Sequence, residues 1–113
     1  MIRVSILYPN AQGSRFDLDY YLKTHMPMTE TLLSPALKSM TVEHGLSGPT
    51  PGSRPAYIAM CHLLFDSIDA FMEAFMPHME TLTGDIKNYT DVEAVIQFND
   101  VKIARTVNAA SSA

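Results

Sequence analysis

The segment Ala56 to Phe65 is apolar on both parities: Tyr57, Ala59, Cys61, Leu63 and Phe65 alternate with Ile58, Met60, His62 and Leu64. Side chains alternate across a β-strand, so this strand needs cover on both of its faces. A chain of 113 residues makes one domain. It can lay helices over one face of a sheet, and the cover for the other face is expected from a second copy. The composition agrees. Only 18% of the residues are charged, against about 25% in ordinary soluble domains.

The remaining elements follow from periodicity. Ile2, Val4, Ile6 and Tyr8 alternate with Arg3, Ser5 and Leu7, a first strand closed by the loop at 9–13. Asp17 is a helix N-cap, and Phe16 before it can staple onto Tyr21. Leu18, Tyr21, Leu22, His25, Met28, Leu32 and Leu33 recur at helical spacing. Pro27 lies inside this run and predicts a kink or break at Met26. A second strand spans 37–46, and the Gly/Pro-rich stretch 47–55 reads as a surface loop. Asp66 and Ser67 cap a second helix with the stripe Ile68, Phe71, Met72, Phe75, Met79 and Leu82. Pro77 interrupts it, and Met76-Pro77 echoes Met26-Pro27 fifty residues earlier. A fourth strand covers 92–101. Two βαβ halves in one chain predict an α+β, ferredoxin-like βαββαβ subunit with an antiparallel sheet. Residues 1–103 form the domain, and 104–113 are expected to be a mobile C-terminal tail.

Several function classes are excluded or disfavoured. The net charge is -4 with no basic run, which suits neither nucleic acid nor an anionic membrane surface. The longest apolar stretch is about half of the ~20 residues a membrane span needs. The strand-like start at Met1-Ile2-Arg3-Val4 leaves no room for a signal peptide, so a cytoplasmic location is expected. Cys61 is the lone cysteine; buried in an apolar strand, it is expected to be inert. No two of the four histidines stand at a ligand spacing such as HxH or HxxxH, and neither metal nor cofactor is expected. There is no phosphate loop and no GxSxG elbow.

Three stretches carry a family resemblance: Phe16 through Met28 (FDLDYYLKTHMPM), Ala59 through Phe65 (AMCHLLF) and Asp85 through Asp91 (DIKNYTD). Together they resemble the EthD family, named for ethyl tert-butyl ether degradation, over roughly residues 1 to 103. The resemblance implies the dimeric α+β barrel superfamily, in which the open sheet face of one subunit pairs with a second copy and each half of the barrel keeps a cavity. It does not bring a settled reaction. EthD proteins accompany a cytochrome P450 system that breaks down a fuel ether, and superfamily relatives range from isomerases and cyclases to monooxygenases and haem proteins.

Candidate site residues follow. His25 lies on the helical stripe one turn after Tyr21, beside the disturbance at Pro27. It can serve as a general acid or base, or be a structural histidine bonded to a carbonyl that Pro27 frees. The family pattern also has histidine here, and near His78, which makes His78 its natural partner. Tyr89, within Asn88-Tyr89-Thr90-Asp91, completes the catalytic candidates; the alternative is that this stretch only shapes a turn. Tyr21, His62 and Asn88 are ligand-binding candidates. His62 points into the dimer cavity or into the core between helices and sheet, and sequence leaves both open. His25 is expected to face a cavity and not the helix–sheet core. Two functions remain: a homodimer with a hydrophobic cavity that performs cofactor-free acid/base chemistry (isomerisation, cyclisation or decarboxylation) on a small apolar organic molecule of a catabolic pathway, or a non-catalytic binding or accessory protein for an oxygenase. Whether it is an enzyme at all is left undecided between them.

Overall fold

In a computed structural model that describes residues 1–108, β1 (Ile2–Pro9) is central. It pairs antiparallel with β3 (Tyr57–Phe65) on one side and β4 (Val95–Asp100) on the other. β2 (Ser39–His44) adds antiparallel to the outer edge of β3, giving the order β2-β3-β1-β4. This is the α+β fold expected of two βαβ halves, with strands two and four shorter than the pattern suggested.

The register decides which residues meet. Val4 stands opposite Leu63 and Phe98, and Ile6 opposite Cys61 and Ile96. These side chains point to the helices, and Val4, Cys61, Leu63 and Phe65 are at most 2% exposed. Ser5, opposite His62 and Gln97, points the other way, as does Thr41 opposite His62. The open face is thus more polar than strand three alone suggested. Ile58, Met60, His62 and Leu64 are half-buried there, beside Arg3, Ser5, Thr41, Glu43 and Asn99.

The first helical segment starts as α1 (Leu18–Tyr20), with the Asp17 carboxylate accepting from the Tyr20 N–H. The Phe16 ring sits 5.1 Å from that of Tyr21, so the staple forms as the sequence suggested. Pro27 does not break the segment. A π-helical turn, Tyr21–His25, leads directly into α2 (Met26–Leu33), and Met26 keeps helical dihedrals of φ -70 and ψ -41. The wider turn, closed by the Met26 N–H on the Tyr21 carbonyl, changes the phase of the stripe. As a result Leu22 turns out to solvent, while Met26 and Thr29 are buried.

The second helical segment runs through α3 (Ile68–Phe75), a 3-10 turn (Met76–His78) that takes up Pro77, and α4 (Met79–Gly84). Ser67 caps it by accepting from the Ala70 N–H. A further 3-10 turn, Ile86–Asn88, leads to Tyr89. Of the expected stripe, Phe71 and Leu82 are buried, whereas Ile68, Met72 and Met79 stay exposed. The chain closes at its ends: the Val101 N–H donates to the Met1 carbonyl. Residues 104–108 are exposed and in neither helix nor strand, and the rest of the expected mobile tail, 109–113, lies outside the described residues. No helix among the described residues is long and apolar enough to cross a membrane.

Candidate functional site

Between the helices and the sheet lies a cavity of about 370 Å³. Val4, Ile6 and Tyr8 of β1, Ile96 and Phe98 of β4, and Met72, Phe75, Met76 and Met79 of the second helical segment form its walls. The two helical segments do not fully cover β4, and so Ile96, Phe98 and the three methionines keep exposed surface at its rim. The cavity therefore lies on the helix side of the sheet, not on the face expected to meet a second copy. His25 lines it. The expected choice between a cavity and the helix–sheet space falls away, because the two coincide.

His25 is 7% exposed and packs in a shell of rings: it stacks on Tyr21 at 5.7 Å and lies 4.7 Å from Tyr89. Its Nδ1 is 2.9 Å from Oδ2 of Asp85, which follows the C-terminal end of α4. Asp85 is held on its other oxygen, where Oδ1 accepts from the Tyr20 hydroxyl at 2.6 Å and from the Asn88 amide at 2.9 Å. Burial acts against the Asp85 carboxylate, but the bonds from Tyr20, Asn88 and His25 outweigh it and hold its pKa below the usual value. An ionised carboxylate can only accept, so the shared proton belongs to Nδ1 and the lone pair of the neutral ring lies on Nε2. Among the described residues Nε2 makes no hydrogen bond and is not sealed from solvent. His25 lines the cavity, and with Nδ1 taken by Asp85 its Nε2 is the ring nitrogen left to meet a ligand, the tautomer set by a carboxylate.

A second polar group stands beside it. The Tyr8 and Tyr89 hydroxyls share a 2.7 Å hydrogen bond, and both residues line the cavity. Tyr21 and Cys61 continue this polar line into the core, with hydroxyl and thiol interacting. Burial pushes the three phenols up from their ordinary pKa, and raises the Cys61 thiol to about 11. All four groups keep their protons at ordinary pH.

The other sequence candidates lie elsewhere. Asn88 is exposed and reaches the site indirectly, its amide donating to Asp85 Oδ1 and, more weakly, to the Tyr20 hydroxyl. His78 lines a separate surface groove with Leu32, Pro35 and Ala74, so it is not the partner of His25. The reason is local: the 3-10 turn at Pro77 shifts the phase of the helix, and His78 leaves the face that carries Phe75 and Met79. His62 is on the open sheet face. It shares a 2.9 Å hydrogen bond with Ser5 and stands 3.4 Å from Glu43, within a polar groove of about 680 Å³. Sequence reasoning missed Asp85 and Tyr8 as site residues. Asp85 opens the DIKNYTD stretch, but nothing in its spacing reveals that it meets a histidine 60 residues earlier. Among the described residues no three His, Cys, Asp or Glu side chains gather to hold a metal ion.

Comparison with known proteins adds the family. No curated protein sequence matches the chain. The crystal structure of an EthD-like protein from Ralstonia eutropha JMP134 is similar over 93% of this chain and 95% of that one, with 42% identity and a TM-score of 0.89. A second crystal structure, of an ethyl tert-butyl ether degradation (EthD) family protein from Bacillus halodurans C-125, covers 90% of this chain and 99% of its own. At 19% identity and a TM-score of 0.70, that likeness supports the fold alone. The EthD domain profile matches residues 14–93, a span that holds His25, Asp85 and Tyr89. With most of its length matched in this way, the chain belongs to the EthD family.

Proposed function

We propose that this protein is a homodimer that binds a small, largely apolar organic molecule in the helix–sheet cavity and carries out cofactor-free proton transfer on it. The observation that carries the reading is the His25–Asp85 pair, in which Nδ1 is bound to the carboxylate and His25 lines a largely apolar cavity with no Lys, Arg, Asp or Glu among its described lining residues. In this reading Nε2 takes a proton from the ligand, and the imidazolium formed is stabilised by the Asp85 carboxylate. The negative charge left on a ligand oxygen is met by a tyrosine O–H from the Tyr8–Tyr89 pair. Return of the proton from Nε2 to another ligand atom completes an isomerisation or cyclisation with no net change in protons. His25 is the acid/base residue, Asp85 positions it, and Tyr89 with Tyr8 supplies the donor.

The second copy would pack on the open sheet face, where Ile58, Met60 and Leu64 are half-buried in the monomer. The exposed apolar rim at Met72, Met76, Ile96 and Phe98 supports the other reading as well, that of a binding or accessory protein for an oxygenase system. A carrier needs only such walls.

The test is a methyl-detected NMR screen of small organic molecules against the Met methyl groups, followed by incubation of each binder in deuterated water. Shifts at Met72, Met76 and Met79, with His25-dependent deuterium exchange into the binder, are expected. Binding without exchange would leave the accessory reading. No shift at any of these methionines would remove the cavity from the function. Light scattering across dilution is expected to give twice the 12.5 kDa subunit mass.

A further inference from the structure

We infer that the cavity selects an uncharged ring compound bearing a free hydroxyl, a phenol or an enol, over both its ether and its carboxylate counterparts. This rests on the cavity reading above and names the ligand class for it.

The argument begins with charge. No Lys, Arg, Asp or Glu among the described residues lines the cavity. A carboxylate or phosphate placed there would be desolvated with no cation to meet it, a large cost. Behind the wall stands the Asp85 carboxylate, 2.9 Å from Nδ1 of His25, and it repels an anion. The ligand that fits this field is neutral.

The hydrogen-bonding atoms then narrow the choice. His25 presents an acceptor at Nε2, because Asp85 holds the ring proton on Nδ1. Beside it stands a donor. The Tyr8 and Tyr89 hydroxyls lie 2.7 Å apart and Tyr8 also has Tyr21 as a hydrogen-bond partner, so with Tyr8 donating to Tyr89 the Tyr89 proton is the one left for a ligand. An acceptor next to a donor is matched by a group that can both give and take a hydrogen bond at one oxygen. A hydroxyl does this: its proton goes to Nε2 and its lone pair faces the tyrosine. A ketone or an ether fills only the donor and leaves Nε2 desolvated without a partner. A volume of about 370 Å³ is near the small end for organic ligands, which suits one or two fused rings.

The experiment uses the full chain and four probes of one shape: 2-naphthol, 2-methoxynaphthalene, naphthalene and 2-naphthoate. The chain has no Trp, so naphthalene-type emission is read without indole background. The expected order puts 2-naphthol about tenfold tighter than 2-methoxynaphthalene, or about 1.4 kcal/mol. Naphthoate is expected to be the weakest. In His25→Phe the preference for naphthol over its methyl ether is expected to shrink to under about threefold, with methoxynaphthalene binding kept. His25→Leu, which also removes the Nε2 acceptor, gives the same readout if His25→Phe does not fold. Equal affinity for naphthol, methoxynaphthalene and naphthalene would overturn the hydroxyl selection while leaving a functional cavity. Tightest binding by naphthoate would overturn the neutral-ligand rule. Binding of none of the four, to protein shown to be folded, would overturn this inference together with the cavity reading beneath it.

Discussion

His25 Nδ1 and Asp85 Oδ2 lie 2.9 Å apart and tie together two helical segments that are 60 residues apart in the chain. The carboxylate is clamped on both oxygens, and the bond therefore sets the tautomer and the orientation of the imidazole at once.

In the wild type, nitrogen-15 NMR of the imidazole is expected to report protonated Nδ1 and bare Nε2 when His25 is neutral. Asp85→Asn is expected to weaken that bias, since an amide can donate as well as accept. Stability has a pH signature too. The native pKa of Asp85 is depressed below 3.8, so its contribution is complete above about pH 4 and disappears as pH falls through the native value. Urea unfolding of wild type and Asp85→Asn should therefore differ at pH 7 and converge near pH 2. A gap that is the same at both pH values would show that the charge on Asp85 does not stabilise the fold.

The Tyr8–Tyr89 hydroxyl pair is buried at both ends, with residue exposures of 3% and 0%. Removing one hydroxyl leaves the other desolvated, so Tyr8→Phe and Tyr89→Phe should each cost about 1–3 kcal/mol. The double variant should cost clearly less than the sum, because the shared 2.7 Å bond is lost once and not twice. Additive losses in a denaturant-melt cycle would mean that the two hydroxyls are not coupled.

Cys61 is 1% exposed, and burial raises its pKa to about 11. Its native thiol should therefore react with a soluble disulfide reagent at pH 8 at least about a hundred times more slowly than in the urea-unfolded chain. The linked stability runs opposite to that of Asp85: it is complete below pH 9 and is lost as pH rises toward 11. Rapid native labelling would show that the polar line from Tyr8 to Cys61 opens to solvent.

The loop at 47–55 is not uniform. Gly52 adopts φ +79, and a side chain built there would meet nothing within 4 Å. At Gly48 a Cβ would lie 2.7 Å from the Ser53 hydroxyl and 3.0 Å from the Arg54 carbonyl. A four-residue Gly/Ser insertion after Gly52 is expected to shift Tm by less than about 3 °C, whereas Gly48→Val should lower it by more. The reverse order would place the structured part of the loop at Gly52.

Local chemistry was legible along the chain. The caps at Asp17 and Ser67, the staple of Phe16 on Tyr21, the four strands and the βαββαβ order all rest on contacts within a few residues or on a simple period. What failed was phase. Pro27 predicts a kink or break at Met26; instead a π turn just ahead of it leads into a continuous helix and exchanges Leu22 for Met26 and Thr29 on the buried face. At Pro77 a 3-10 turn did the opposite and carried His78 away from the cavity. One residue more or fewer per turn reassigns a whole face, and both proline-containing sequences look alike before they fold.

The sequence by itself determined the fold class, the buried parity of strand three and the place of His25 on the stripe of the first helical segment, because periodicity and capping act over short range. Only the tertiary structure decided which side of the sheet holds the cavity, that His62 lies on the opposite face, and that Asp85 and Tyr8 join His25 and Tyr89. Those pairings span 57 to 81 residues. They depend on strand register and on how two helical segments cross the sheet, quantities that no local pattern of residues encodes.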